Sequence, residues 1–492
     1  MKADRYKRGE DLHVLSLSLC LEDYIPQDSP VRLIDKFVDK FVMERGIRYA
    51  GKGQSTTGCM PYEFNPLLKM YIYGYMNRLN GSRRLEGEAK RNLEMMYLMR
   101  NLRPSYHTIS SFRKDNGPAV RECFRCFRDF LRAVRLQTGS VVAVDGTKVK
   151  ANAEKSLRML EDRMEAVDAK LDSYLSSSDE QDSYDELSER LEESESRTES
   201  LEETNRRLED ERLRLESEKK RLEERIASMK SAGSAFVHDP DARTMQFADG
   251  SKKAAYNVQA AVDKDSHTIV DTTVTTDPND IHQLAPVVEK VAEETETVPE
   301  VVLADGGYNE DSNIEKVEGM GAECFIPEVG NAQRARDTEN GIAFCHDKAS
   351  DSYVCPCEKS LTFRCEKEKH GALYRVYRAK PGDCRDCRLR DMCTKSAHGR
   401  TIWVRKESQW RTEFNRKMTT ARAKSNIGSR KGVIENVFGS IKVWMGKIPL
   451  LLTGKENVQT EVDLFATAYN MVRCVNLLGT ECALSELDSV HF

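Results

Sequence analysis

The segment Val141–Asp145 constrains the fold more than any other, because four apolar residues lead directly to an aspartate and then to Gly146. Three of the four apolar residues are β-branched, which favours a buried strand. A carboxylate at the end of a core strand is costly to bury, so it should be paired or bound to a cation. We predict that the strand ends at Asp145 and that the chain turns at Gly146. The alternative is that Asp145 merely begins a turn.

The composition favours a cytoplasmic protein of two to four domains. The chain has 492 residues, of which 39% are hydrophobic, and it is too long for one ordinary domain. No apolar run reaches the roughly 20 residues that cross a bilayer, and the first residues lack the apolar stretch of a signal peptide. The 14 cysteines fit this compartment if they are reduced, buried or metal-bound.

Charge is distributed unevenly along the chain. Residues 155–230 carry 24 acidic and 15 basic side chains, whereas residues 375–447 carry 19 basic and 6 acidic ones. A basic region beside carboxylates suits a polyanionic ligand such as nucleic acid. The alternative is an ordinary basic surface.

Helical patterns precede the first strand. From Pro30 onward, apolar residues recur at the spacing of an amphipathic helix. Asn65 is a candidate cap of a second helix, with Pro66 at its first position. Residues 104–113 predict a short polar helix, which is either the recognition helix of a helix-turn-helix or a plain bundle element. We therefore predict an all-α N-terminal domain over residues 1–138.

Residues 155–232, rich in Glu, Arg, Ser and Leu, predict a helical insertion. Apolar residues between Leu157 and Tyr174 alternate three and four apart, which is the spacing of a coiled-coil seam. A second seam with a period of seven starts at Leu201, but its companion positions are polar. We predict a helical hairpin or coiled-coil arm, interrupted near Ser176, whose acidic charge is a solvated face or a self-association surface.

Beyond the arm the pattern becomes that of a sheet. Residues 254–275 predict a hairpin of two strands, and a helix follows from Asp280. Residues 299–305 predict a second apolar strand that ends on aspartate and glycine, followed by a short helix and a strand at 322–327. Together with the first strand, this is the order of a ribonuclease H-like α/β fold with a mixed sheet, interrupted by the arm.

Three carboxylates are placed to form one site. Asp145 and Asp305 end two apolar strands, and ligands bind open α/β sheets at such ends. Glu435 flanks the apolar face of a predicted helix that could pack on the sheet. Such a set can hold two Mg²⁺ or Mn²⁺ ions, which activate a water or 3′-hydroxyl in phosphodiester displacement. The alternative for each residue is an ordinary surface or turn acid.

Basic and aromatic residues near these acids are candidate DNA contacts. Lys148, Arg430, Lys431 and Lys442 would grip phosphates. Trp444 is a candidate for stacking on an unpaired base, and the alternative is a core tryptophan.

A cysteine-rich segment over residues 331–420 predicts a structural zinc site. Its clustered thiols are Cys355, Cys357, Cys365, Cys384, Cys387 and Cys393. Two clusters with a Cys-x-x-Cys knuckle in a cytosolic protein are typical of structural zinc. We predict that the four ligands are Cys355, Cys384, Cys387 and Cys393, with the other two as reserves. The alternative is six free cysteines in a polar loop.

In combination these motifs resemble the DDE transposases of bacterial insertion sequences. The resemblance rests on Asp145-Gly-Thr-Lys-Val-Lys-Ala-Asn, on Ala304-Asp-Gly-Gly-Tyr and on Ile434-Glu-Asn-Val-Phe-Gly-Ser-Ile-Lys. The cysteine cluster before the glutamate helix also matches the family's pattern. Gly428 and Lys431 stand where the family's signature has tyrosine and arginine.

The resemblance implies that Asp145, Asp305 and Glu435 are the catalytic triad and that Lys442 is the lysine of the glutamate-helix signature. It implies a bacterial, nucleoid-associated protein that binds the terminal inverted repeats of its element and cleaves and joins DNA with Mg²⁺. A homodimer or higher oligomer would bind these ends and the target DNA. Two rivals are an RNase H-like nuclease that never joins DNA and a transposase-derived binding or scaffolding protein without catalysis.

The predicted domain division follows from these assignments. It comprises the N-terminal helical domain for DNA binding and pairing (1–138), the first strand of the RNase H-like core (139–154), the arm (155–232), the rest of the core (233–330), the zinc-binding insertion (331–420), and the catalytic glutamate helix with the last helix (421–492).

Overall fold

The computed structural model describes most of the chain. The described residues are 20–47, 60–153, 161–172, 195–232, 239–328, 337, 339–369, 372–406, 408–444 and 450–492. They form a mixed α/β fold with a helical N-terminal region, two β-sheets and two long helices near the C-terminal end. Within the described residues, every helix is too short or too polar to span a bilayer.

Six helices precede the first strand within the described residues. They are α1 Pro30–Arg45, α2 Phe64–Met76, α3 Ser82–Glu88, α4 Leu93–Leu98, α5 Tyr106–Asp115 and α6 Gly117–Ala133. The helix predicted from Pro30 is confirmed, and the Ser29 side chain caps α1 by accepting a hydrogen bond from a backbone N–H. The predicted start of α2 is wrong, because Glu63 is its N-cap. Asn65 lies in the first turn, where its amide donates to Asp39 at 2.7 Å.

Two contacting helical segments follow the first strand. Residues 161–172 form α7, and α8 spans Glu195–Ala232. Val167, Leu222 and Ile226 bury one another between the two helices, and the Lys219 ammonium lies 2.8 Å from the Asp168 carboxylate. The predicted interruption near Ser176 lies outside the described residues. Supercoiling of the two helices stays a prediction.

The central sheet has six strands. They are β1 Val141–Lys150, β2 Arg243–Gln246, β3 Lys252–Asp263, β4 Ile269–Thr275, β5 Val301–Leu303 and β6 Glu323–Phe325. β3 pairs antiparallel with β1, β2 and β4, whereas β5 pairs parallel with β1 and β6. Helices α9 (Leu284–Thr295) and α10 (Asp311–Gly319) connect β4 to β5 and β5 to β6. The five predicted strands are therefore observed in their predicted order, but β2 was not predicted, and α9 begins at Leu284 rather than at Asp280.

The prediction that the first strand ends at Asp145 is wrong. β1 continues to Lys150, because β3 pairs with it from Val142 to Lys150. Parallel pairing with β5 does stop where Ala143 faces Leu303. Asp145 therefore lies inside a strand, at the level where one neighbouring strand has ended and the other continues.

A second sheet occupies the cysteine-rich segment, where the sequence predicts no strand. It is antiparallel and contains β7 Cys345–Asp347, β8 Ser352–Val354, β9 Ser360–Lys369, β10 Ala372–Ala379 and β11 Thr401–Arg405. Two short helices, α11 Pro381–Arg385 and α12 Arg390–Cys393, lie between β10 and β11. Its core is small, with Leu361, Tyr377 and Ala379 buried. Charged residues along β9 and β10 hide the apolar alternation that would have revealed these strands.

Four helices follow the second sheet and complete the core. They are α13 Gln409–Met418, α14 Ala421–Trp444, α15 Lys455–Leu478 and α16 Thr480–Ser489. Successive residues of β1 point to opposite sides of the central sheet. Val142 and Val144 face the layer that contains α9 and α10. Ala143 and Val149 face a larger layer, in which the six N-terminal helices share one apolar cluster with α14, α15 and α16.

A buried ion pair joins the N-terminal helices to α15. The Arg113 guanidinium on α5 lies 3.2 Å from Glu461, and both side chains are 3% exposed. Glu461 also accepts hydrogen bonds from the backbone N–H groups of Leu451 and Leu452. Burial raises the pKa of the Glu461 carboxyl. The Arg113 side chain is thus buried in the core and is not available to contact DNA. This favours the interpretation of α5 as a plain bundle element.

Replacing Arg113 by methionine should destabilise the protein strongly, because Glu461 would stay buried without a counter-charge. We expect the free energy of unfolding, measured by urea denaturation, to fall by about 3–5 kcal/mol. Arg91→Met is the matched control, since Arg91 is 76% exposed in its pair with Glu88, and it should change stability by less than about 0.5 kcal/mol. Equal small effects of both substitutions would contradict the role of the buried pair.

Candidate active site

Asp145 and Asp305 lie side by side at the edge where β1 and β5 separate. Ala143 pairs with Leu303 in the last parallel register position, and each aspartate follows its partner residue by two. Asp145 Oδ1 accepts the N–H of Gly146 at 2.8 Å, and Asp305 Oδ1 accepts the N–H of Gly307 at 2.7 Å. Oδ2 of each carboxylate remains as a further acceptor. The fold thus brings together two of the three predicted catalytic acids.

The two aspartates affect each other electrostatically. Burial and the charge of Asp305 raise the pKa of Asp145 to about 6, and Asp280 acts in the same direction. The Gly146 N–H and the Arg430 guanidinium oppose this shift, and Arg430 Nη1 lies 3.4 Å from Asp145 Oδ2. A carboxyl whose charge is still under-compensated beside one arginine fits a divalent cation. Asp145 and Asp305 are the residues that would hold it.

Helix α14 brings Arg430 to this edge. Val433, Ile434, Val437 and Phe438 of α14 are buried against the sheet and the neighbouring helices. This apolar stripe fixes the rotation of the helix, and Arg430 precedes it by about one turn. The predicted packing of the glutamate helix on the sheet is therefore observed.

Glu435 is not brought to the aspartate pair. Its side chain is 65% exposed and forms an ion pair with Lys431, whose Nζ lies 3.7 Å away. Among the described residues, no three His, Cys, Asp or Glu side chains lie close enough together to hold a metal ion. Like charges repel, so a third carboxylate has no reason to approach Asp145 and Asp305 without a cation between them.

The other residues predicted to contact DNA are spread over β1 and α14. Lys148 lies on the face of β1 opposite to Asp145 and donates to the carbonyl oxygen of Gln246 at 2.9 Å. Lys431 is 76% exposed on α14. Lys442 and Trp444 lie in the last turn of α14, and their side chains are outside the described part of the chain.

Sequence reasoning missed a polar cluster behind β1. Asp280 Oδ1 accepts hydrogen bonds from the amides of Asn257 and Gln259, both at 2.7 Å. Tyr308, in the turn that follows Asp305, donates to Gln259 Oε1. Two polar residues at alternate positions of an otherwise apolar strand were the available signal, because such side chains need partners when buried.

The clustered cysteines are partly assembled. Cys357 Sγ and Cys387 Sγ lie 3.5 Å apart. Cys355 and Cys384 each accept a backbone N–H at 3.4 Å, from Lys359 and Arg400. Burial raises the pKa of Cys393 to about 11, with Cys384 and Cys355 contributing. The thiols are thus near one another, but no three of those described lie within metal-binding reach.

Two family models match this chain. A transposase domain matches residues 19–115, and a transposase DDE domain matches residues 354–475. The resemblance to the DDE transposases of insertion sequences is confirmed. The second match includes Glu435 and the predicted zinc ligands, whereas Asp145 and Asp305 lie outside both.

Comparison with solved structures finds a cryo-EM structure of the piggyBac transposase synaptic complex with hairpin DNA. The identity is 8% and the TM-score is 0.28, over 93% of this chain and 79% of that chain. No curated protein matches the chain.

The raised pKa of Asp145 predicts a stability that depends on pH. A carboxyl with a raised pKa in the folded state stabilises the fold below its unfolded pKa of about 4 and loses that contribution as the pH rises through about 6. Asp145→Asn removes this titration. At pH 7 with EDTA, the variant should be more stable than the wild type by roughly 3 kcal/mol in urea denaturation. At pH 4 the difference should vanish, and a constant difference would contradict the prediction.

Proposed function

We propose that this chain is a DDE transposase that binds the terminal inverted repeats of its element, cleaves DNA at their ends and joins the ends to target DNA. The observation that supports this most is the pair Asp145 and Asp305, held on neighbouring parallel strands with Arg430 beside them. The transposase family matches on both sides of the pair agree with this function.

An RNase H-like core is part of the proposal. The strand order β4-β3-β1-β5-β6, antiparallel through the first three strands and parallel for the last two, supports it. In such a sheet, ligands bind beyond the carboxyl ends of the parallel strands. Asp305 lies just beyond the end of β5, and Asp145 lies inside β1, just beyond the last residue that pairs with β5.

Two Mg²⁺ or Mn²⁺ ions would be held by Asp145, Asp305 and Glu435. When bound, they lower the pKa of an attacking water or 3′-hydroxyl and stabilise the leaving oxygen. The two aspartates orient their carboxylates through the N–H groups of Gly146 and Gly307. Arg430 and Lys431 would contact the phosphates of the DNA.

Glu435 would turn toward the aspartates only when cations and DNA are bound. The exposed Glu435 side chain has room to change rotamer, and its Lys431 partner is itself exposed. Gly428, Gly432 and Gly439 occupy α14, and glycine weakens a helix by about 1 kcal/mol relative to alanine. A helix with three glycines adjusts its geometry at low cost.

The remaining regions have proposed supporting roles. The helices of residues 1–138 would contribute DNA binding and pairing of the two ends, and the 155–232 arm would form a coiled coil for self-association into a dimer or higher oligomer. Residues 331–420 would be stapled by zinc, with Cys355, Cys384, Cys387 and Cys393 as ligands. The protein would act on DNA in the bacterial cytoplasm, at the nucleoid.

The catalytic proposal is tested with DNA that carries the inverted repeats flanking the gene. Wild-type protein with Mg²⁺ should give cleaved and joined products. Asp145→Asn and Glu435→Gln should each lower the cleavage rate by about 100-fold or more, because loss of a metal ligand costs several kcal/mol and each 1.4 kcal/mol is tenfold. Glu300→Gln changes an exposed acid at the opposite end of β5 and should leave the rate unchanged.

Other outcomes identify the rivals. Equal cleavage by the wild type and Asp145→Asn would exclude this site. Cleavage without joined products would indicate a nuclease. Tight DNA binding that is independent of metal, with no cleavage, would indicate a binding or scaffolding protein, which is the function that the outward position of Glu435 favours.

The zinc staple is tested by elemental analysis of the purified protein. We expect about one zinc per chain, because a closed four-thiolate site holds one ion. Cys387→Ser should lose it and lower the melting temperature, since metal binding contributes to folding. Cys482→Ser is the control, because that thiol is exposed and lies on α16, away from the cluster. Zinc-free wild-type protein with an unchanged melting temperature in chelator would refute the staple.

A further inference from the structure

The polar cluster behind β1 is built against the backbone of Gly146. This cluster, which we call the buttress, consists of Asn257, Gln259, Asp280 and Tyr308. Gln259 pairs directly with Gly146 across the β1–β3 ladder, so both residues project to the same side of the sheet. That side is opposite to the one on which Asp145 meets Arg430.

The buttress fills the space that a side chain at position 146 would need. A Cβ atom there would lie 2.5 Å from Asp280 Oδ1 and 3.0 Å from Asn257 Oδ1, and it would also collide with the Gln259 amide. Real Cβ atoms do not approach other atoms so closely. Gly146 is therefore required here for close approach, and the backbone that carries Asp145 rests directly on the buttress.

The same buttress reaches the backbone that carries Asp305. Tyr308 is fully buried, and its hydroxyl donates to Gln259. It belongs to the short turn Gly306–Tyr308, whose Gly307 N–H holds the Asp305 carboxylate. A chain of hydrogen bonds thus runs from Tyr308 in the Asp305 turn to Gln259 and on to Asp280 and Asn257. The side chains of the last three residues pack against Gly146.

Asp280 is the acceptor that closes this chain. Its Oδ1 accepts hydrogen bonds from the side-chain amides of Asn257 and Gln259, and both residues are at most 1% exposed. Asn257 Oδ1 is buried and has no hydrogen-bond partner among the residues that the structure describes. The Asn257 side chain is therefore positioned by its NH₂ group, which donates hydrogen bonds to Asp280 and to the carbonyl oxygen of Asp277. Without Asp280, two buried amides would lose their main acceptor.

We propose that Asp280 is a positioning residue, which sets the separation of the Asp145 and Asp305 carboxylates through Asn257, Gln259 and Tyr308. This inference rests on the proposed function of the two aspartates. Asp280 acts as a hydrogen-bond acceptor and not as a metal ligand. Partners behind the ligands of a metal site commonly change metal affinity or activity by about 10–100-fold when they are removed.

The test compares two substitutions that separate hydrogen bonding from charge. Asp280→Asn keeps an oxygen that can accept both amides, whereas Asp280→Ala removes it. We expect Asp280→Ala to weaken Mn²⁺ binding, measured by electron paramagnetic resonance of the protein without DNA, by about 10-fold or more. Asp280→Asn should stay within about threefold of the wild type, and Tyr308→Phe should give an intermediate loss.

Asp277→Ala is the matched control. Asp277 lies in the same loop, where its exposed carboxylate accepts from Gln283 at 2.6 Å. Alanine removes this carboxylate but keeps the backbone carbonyl oxygen that accepts from Asn257, so Mn²⁺ binding should be unchanged. Melting temperature and DNA binding in EDTA should stay near wild type for Asp280→Ala, which separates positioning from unfolding. If Asp280→Ala does unfold, the Asp280→Asn and Tyr308→Phe results decide.

The results distinguish the positioning role of Asp280 from the transposase function. Mn²⁺ binding by Asp280→Ala equal to that of the wild type would overturn it, and loss of binding in Asp280→Asn as complete as in Asp145→Asn would make Asp280 a ligand instead. Wild-type protein that binds Mn²⁺ but never cleaves DNA would refute the transposase function and leave the positioning role standing. Wild-type protein that binds no Mn²⁺ either alone or with DNA that carries the inverted repeats would refute both.

Discussion

The parallel pairing of β1 with β5 is the constraint on which the rest of the structure depends, because it places two carboxylates next to each other at a sheet edge. Burial first, and then the neighbouring charge of Asp305, raise the pKa of Asp145. Backbone N–H groups and Arg430 compensate only part of this effect. The remaining demand for positive charge is what makes this edge suitable for divalent cations.

The segments that support Asp145 and Asp305 lie on both sides of the central sheet. On one side, the apolar stripe of α14 holds Arg430 against Asp145. On the other side, Asp280 and its amide donors support the backbone at Gly146. Buried pairs such as Arg113 with Glu461 tie the helices to the C-terminal core. A rigid frame of this kind would suit the proposed metal site, in which the two aspartates need a constant spacing.

The Glu435 side chain is less constrained than the side chains of the two aspartates. The aspartates are held by backbone N–H groups, whereas Glu435 lies exposed beside Lys431 on a helix that contains three glycines. In our proposal the site is therefore only two-thirds formed until cations arrive with DNA. Such an arrangement would prevent cleavage before the DNA ends are engaged, because the full set of ligands exists only in the complex.

The sequence by itself determined five strands of the central sheet, the helix from Pro30 and the position of two aspartates beside apolar strands, because apolar periodicity and an acid next to an apolar run are local signals. It could not show that β1 runs on to Lys150, since that depends on the length of β3. Nor could it show that Asp280 stands behind Gly146, or that Glu435 faces outward, since both follow from contacts between distant segments. The cysteine spacing indicated nearness of the thiols, whereas the second sheet depends on the pairing of strands whose charged residues conceal the apolar alternation. Local pattern thus indicated the candidate site residues, and tertiary packing decided which of them meet.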